Sequence, residues 1–144
     1  MEEGKDYSAS WSDEASVNAG TYTVTLNGLG GYTGTARASY TISRADNPVT
    51  IKTKKVTVKY KKLKKKTQSI KKSSALTIKS AKGKVTFKKV KGNKNIKIGT
   101  TSGKITVKKG LKKGTYKVKI RITVSGNMNY EPGIKTVTFK IHVK

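Results

Sequence analysis

Apolar and polar residues alternate with a period of two along much of the chain. In residues 22–28, Tyr22, Val24 and Leu26 share one phase and threonines take the other. Residues 36–43 set Ala36, Ala38, Tyr40 and Ile42 against Arg37, Ser39 and Thr41. Residues 114–124 set Tyr116, Val118, Ile120, Ile122 and Val124 against Lys117, Lys119, Arg121 and Thr123. The last run sets Val137, Phe139, Ile141 and Val143 against Thr136, Thr138, Lys140 and His142. Successive strand side chains point to opposite faces, so each run predicts a strand with one buried and one wet face. Val, Ile, Thr and Tyr dominate these runs, while Gly, Asn, Ser and Lys fill the intervals. Helical periodicity is hard to find. Many short strands with closely spaced turns predict a β-sandwich.

One change of phase is informative. Val49 and Ile51 are odd-numbered, whereas Val56, Val58 and Tyr60 are even. A regular strand cannot bury both sets on one face, so a bulge or bend is expected near residues 53–55, letting the strand switch sheets. The lysine-rich stretch 60–74 reads as a short edge strand around Gln68–Ile70 or as loop. The expected core is Val56, Val58, Leu76, Ile78, Val85, Phe87, Ile96, Ile98, Ile105, Val107, Tyr116, Val118, Ile120, Ile122, Val137, Phe139 and Ile141. Trp11, Tyr22, Val24, Leu26, Tyr40 and Ile42 should form a smaller apolar face nearer the start.

The pattern also repeats. Gly20-Thr21-Tyr22 matches Gly114-Thr115-Tyr116, Tyr32 matches Tyr130, and Tyr40-Thr41-Ile42 matches Phe139-Lys140-Ile141. The second copy closes a region of about a hundred residues, an ordinary domain length. The first copy begins only 20 residues from the start. Residues 1–48 are therefore expected to be the last three strands of a preceding repeat plus a linker. Residues 49–144 are expected to be a complete sandwich. So short a piece rarely builds its own core. It is expected to pack on the second domain or to pair with another chain.

Charge reinforces the division. The chain has 33 Lys+Arg against 7 Asp+Glu, a net charge of +26 over 144 residues. Residues 1–48 hold three cations against six acids, a balance of −3; residues 49–144 hold 30 cations against Glu131 alone, a balance of +29. Asp46, Asn47 and Pro48 favour a turn at the junction. A balance so basic points to polyanionic partners. Cysteine is absent, so disulfide, thiolate and Cys–metal chemistry are excluded. No apolar run approaches the length of a membrane span. The opening residues, MEEGKDY, are acidic and lack the apolar core of a signal peptide, so export would require a signal upstream of them.

The stretch 83–143 carries a strand, an "NIKI" strand, "SGKITVKKGLKKGTYKVKI", "GNMNY" and a closing "KTVTFKIHV". It resembles the bacterial immunoglobulin-like repeats of large surface and secreted proteins of Gram-positive gut bacteria. Residues 49–82 fit the same repeats more loosely, and residues 6–43 resemble the C-terminal half of a sister repeat. The resemblance implies an all-β, immunoglobulin-like sandwich preceded by a partial repeat of about three strands. It also implies an extracellular, cell-surface setting and a stalk, spacer or adhesin role without catalysis.

A search for chemistry agrees with that expectation. His142, the only histidine, has no acid nearby in sequence to orient it as a base. Asp13 and Glu14 are adjacent and would point to opposite faces of a strand. With Glu131 alone, the second domain offers calcium no carboxylate cage. The glycine-rich NGLGGYTG lies between two strands with no helix to receive a phosphate, so it reads as a hairpin loop with positive-φ glycines. No cofactor or metal is expected, and an isopeptide crosslink lacks its buried Lys–Asn–acid set. The candidate binding surface is the cationic face formed by Lys117, Lys119, Arg121, Lys135 and Lys140. Its expected partner is an anionic wall polymer such as teichoic acid, or an acidic glycan. Specific nucleic-acid recognition is not expected. The second domain has Arg121 as its sole arginine, and its aromatics fall in the apolar phase.

Overall fold

The computed structural model describes all residues, Met1–Lys144. Contacts divide the chain into two units, Met1–Ala45 and Asp46–Lys144.

Unit 1 is a three-stranded antiparallel sheet of β1 (Tyr7–Trp11), β2 (Gly20–Gly28) and β3 (Thr35–Ile42), with β2 in the middle. Its pairing places Trp11 opposite Val24, Val24 opposite Ala38, Ala9 opposite Leu26, and Tyr22 opposite Tyr40. Directly opposed residues share a face, so one side of the sheet is apolar and the other carries Ser, Thr, Asn and Arg37. The β2–β3 loop is the expected hairpin, with Gly30 (φ 63°) and Gly34 (φ 100°) in the left-handed region.

Unit 2 is a sandwich. One layer is β5 (Val56–Val58), β12 (Gly133–Val143), β11 (Gly114–Val124) and β8 (Val85–Lys91), in that order. The facing strands are β4 (Thr50–Thr53) paired with β7 (Leu76–Lys79), and β6 (Gln68–Ile70), β10 (Ile105–Val107) and β9 (Ile96–Ile98). A 3-10 turn at Lys72–Ser74 separates β6 from β7. Apolar residues from both sides meet in one core around Val118, Ile120, Ile122, Phe139 and Ile141. All 17 expected core residues lie in that cluster or pack against it.

The change of phase after Ile51 is the expected switch of sheets. β4 runs antiparallel to β7, and Lys54 N–H still donates to Ala75 O at 2.7 Å. Two residues later β5 runs parallel to the last strand, with Val56 opposite Ile141 and Val58 opposite Val143. The lysine-rich stretch does hold a strand at Gln68–Ile70, but it also holds a helix that the alternation does not reveal. This helix, α1 (Tyr60–Lys65), is six residues long and buries Leu63 completely. So short a helix has little stability of its own. It is held by Leu63 in the core, and Lys62, Lys64 and Lys65 complement its C-terminal dipole.

The two matched tyrosines, Tyr22 and Tyr116, have the same local geometry. The Tyr22 hydroxyl donates to Asn18 O and the Tyr116 hydroxyl donates to Lys112 O, both at 2.9 Å. Each tyrosine thus ties its ring to the backbone four residues upstream, the tyrosine corner of immunoglobulin-like sandwiches. Gly20 and Gly114 lie beneath these rings. The pairing corrects the sequence alignment of the closing strand. Gly20 opposes Ile42 and Tyr22 opposes Tyr40, whereas Gly114 opposes Val143 and Tyr116 opposes Ile141. Tyr40 therefore corresponds to Ile141 rather than to Phe139, a shift of two residues that conserves the face.

Asn47 is part of unit 2's framework. Its Nδ2 donates to Lys82 O at 2.8 Å and Glu131 O at 3.1 Å, and its Oδ1 accepts from Lys82 N–H at 3.1 Å. One side chain thereby joins the start of the unit to the loops before β8 and β12. Asn47→Ala should cost about 1–3 kcal/mol, because three hydrogen bonds that join separate segments are lost together. Urea unfolding of the variant measures this.

Candidate functional site: a cationic sheet face

Strand pairing assembles the candidate face. Lys117, Lys119 and Arg121 project from β11, and Lys140 joins them because it lies opposite Lys117. Lys135 does not. It lies opposite Ile122, whose side chain is fully buried, so Lys135 belongs to the core-facing phase and is exposed only because it sits near the strand's start. The expected five-residue face is therefore four residues, and Lys135 is separate from it.

The structure adds two cations from β8. Lys88 lies opposite Arg121, and Lys91 lies opposite Lys119. Sequence reasoning missed them because β8 carries a bulge. Ile120 pairs with Lys89 and Lys119 with Lys91, so Val90 is the extra residue. The bulge returns Lys91 to the outer face, although it is three residues from Lys88. Lys89, between them, is turned inward: its ammonium donates to Asn93 O at 3.0 Å and Ile96 O at 2.8 Å. The adjacent Lys88-Lys89 pair was the available signal, since neighbouring strand residues cannot share a face.

The resulting surface holds Lys88, Lys91, Lys117, Lys119, Arg121 and Lys140, with threonines between them. All six cations are exposed. No acid is present in β5, β8, β11 or β12. A depression of about 520 Å³ lies on this surface, lined by Lys91, Gly92, Lys117, Lys119 and Thr138. Four lysines elsewhere lie over aromatic rings: Lys64 and Lys113 over Tyr60, Lys72 over Phe87, and Lys82 over Tyr130.

Other candidate groups are placed as follows. His142 is half-buried, and its Nδ1 shares a hydrogen bond of 2.9 Å with the Thr115 hydroxyl. Asp6 accepts from Glu2 N–H at 2.8 Å, and Asp13 accepts from Ala15 N–H at 3.2 Å. His, Asp and Glu nowhere form a group of three able to hold a metal. No polar or charged residue is fully buried. No helix is long and apolar enough to cross a membrane.

Neither a protein-family model nor a curated protein matches the chain in sequence. Solved structures do match in shape. A protocadherin gammaB7 EC3-6 cis-dimer structure aligns at a TM-score of 0.50 and 10% identity, over 99% of this chain and 39% of that one. Drosophila N-cadherin EC1-4 aligns at 0.48 and 18% identity, over 88% and 33%. An endo-fucoidan hydrolase of glycoside hydrolase family 107 aligns at 0.41 and 10% identity, over 97% and 24%. The chain thus spans well under half of each. At these identities the likeness concerns fold, an immunoglobulin-like β-sandwich.

Proposed function

We propose that the chain is a non-catalytic spacer or display segment of an extracellular protein, of the bacterial surface type that its sequence resembles. Residues 49–144 are read as one complete repeat and residues 1–48 as the closing strands of the repeat before it. The observation that carries this reading is the parallel pairing of β5 with β12. Asn47 is tied near the start of β12, and Lys144 follows its end. Eleven residues of strand separate these poles by roughly 36 Å. A unit that receives the chain at one pole and releases it at the other can be strung end to end. Tension on its ends loads the β5–β12 hydrogen bonds in shear, so they resist together rather than one by one. Pulling single molecules by their termini tests this. Unit 2 is expected to open in one step, at a force above that which opens unit 1. Gradual yielding of unit 2 at low force would refute a load-bearing role.

The open face of unit 1 supports the partial-repeat reading. Val118, Ile120 and Ile141 are fully buried, whereas Leu26 and Tyr40, at the positions of Ile120 and Ile141, are 36% and 40% exposed. The matching tyrosine corners support reading β2 and β11 as the same strand of the fold, and on that reading the apolar face of unit 1 is the one that unit 2 covers with its facing strands.

A second reading is favoured by the acid-free outer face of β8, β11 and β12: electrostatic binding of an anionic polymer, whether wall teichoic acid or acidic glycan. Saturable binding that weakens steeply with salt would support it.

A further inference from the structure

We propose that the depression at the β8 bulge is a subsite for one tetrahedral oxyanion, the sulfate ester or phosphomonoester of a polyanionic ligand. This rests on the second reading above and narrows it from a charged surface to a site, and from its two polymers to an acidic glycan bearing terminal esters, since the phosphodiesters of teichoic acid present only two free oxygens.

The bulge makes the site. The extra residue, Val90, bends β8 just before Gly92, whose φ of 138° disfavours a side chain. A Cβ at Gly92 would stand 3.1 Å from Lys117 O and 3.3 Å from Val118 Cα. Backbone therefore approaches backbone there, and the floor of the depression stays bare. Its rim is one cross-strand row and one neighbour. Lys119 sits between Lys91 on one side and Thr138 on the other, and Lys117 lies two residues along β11. A volume of about 520 Å³ falls within the range of small-ligand sites and leaves room for the sugar that bears the ester.

The chemistry selects the ligand. Three lysines line one cavity, and no carboxylate on the sheet balances them. A terminal sulfate or phosphate ester presents three free oxygens, one for each ammonium, and Thr138 adds a hydroxyl donor. A carboxylate presents two oxygens and is matched better by an arginine fork, which this cavity lacks.

The test titrates the whole chain with sulfated, phosphorylated and carboxylated oligosaccharides of matched charge, at about physiological salt. Amide NMR and calorimetry read the binding. The expected result is at least about tenfold tighter binding of the sulfated or phosphorylated ligand, with the amides of Lys91, Gly92 and Lys119 shifting first. The triple variant K91Q/K117Q/K119Q should lose about tenfold or more, and the charge-matched K71Q/K79Q/K104Q less than about threefold. Equal losses in the two triples would overturn the subsite and leave general polyanion binding standing. A preference for the carboxylated ligand would overturn the oxyanion assignment. Wild-type protein that binds none of the three would overturn the second reading itself. The wild-type NMR pattern decides the location even if a variant folds poorly.

Discussion

Leu63→Ala is expected to destabilise unit 2 by about 2–5 kcal/mol, the usual cost of a fully buried Leu replaced by Ala. The upper half of that range is the expectation here. Leu63 is the one buried residue of a six-residue helix that lacks a side-chain N-cap bond. Truncation therefore opens a cavity and also releases the element that encloses it. The released segment, residues 59–66, carries Lys59, Lys61, Lys62, Lys64, Lys65 and Lys66, whose repulsion favours the extended chain. Leu111, also buried but in a connecting segment, provides a comparison at similar chemistry. Urea unfolding should give a lower midpoint for Leu63→Ala than for Leu111→Ala. A loss under about 1 kcal/mol at Leu63 would mean that α1 is an ornament on the core rather than a part of it.

The same helix shows where alternation stops being readable. β11 and β12 were legible because eleven residues each hold one phase, and every inward position from Val118 to Val124 is buried. The switch between β4 and β5 was legible because it leaves a mismatch of odd and even positions. Leu63, by contrast, stands among lysines, and its only helical companion in the pattern is Tyr60, three residues earlier. A helix of fewer than two turns leaves too few apolar positions to establish a period. The candidate site failed in a similar way. Lys135 keeps the correct spacing for a strand but falls in the inward phase, which only the pairing with Ile122 reveals. Lys88 and Lys91 differ by an odd number of residues and still share a face, because Val90 is extra. A bulge leaves no compositional mark. Phase was thus readable within a strand, while the site is made across strands.

Raising the ionic strength should stabilise unit 2, with a melting midpoint about 10 °C higher near 0.5 M sodium chloride than near 10 mM. Residues Asp46–Lys144 carry 30 cations against Asp46 and Glu131, a balance of +28. Two ammonium groups about 8 Å apart in water repel by about 0.5 kcal/mol, and the six cations of the outer face alone form several such pairs. Unfolding spreads the charges and relieves part of this, so repulsion counts against the folded state. Salt shortens the screening length from about 30 Å to a few Å and removes most of the penalty. The sign would reverse if stability came from ion pairs, which salt weakens; a midpoint that falls with salt would therefore refute this account. Anion identity separates screening from occupancy. At equal ionic strength, sodium sulfate and chloride screen alike. A charged subsite at the β8 bulge adds a sulfate-specific rise, because an anion bound only by the folded state stabilises it in proportion to the logarithm of its concentration above the dissociation constant. Sulfate also strengthens apolar burial generally, so the comparison that decides is between variants. The excess rise in sulfate should shrink in K91Q/K117Q/K119Q and persist in K71Q/K79Q/K104Q.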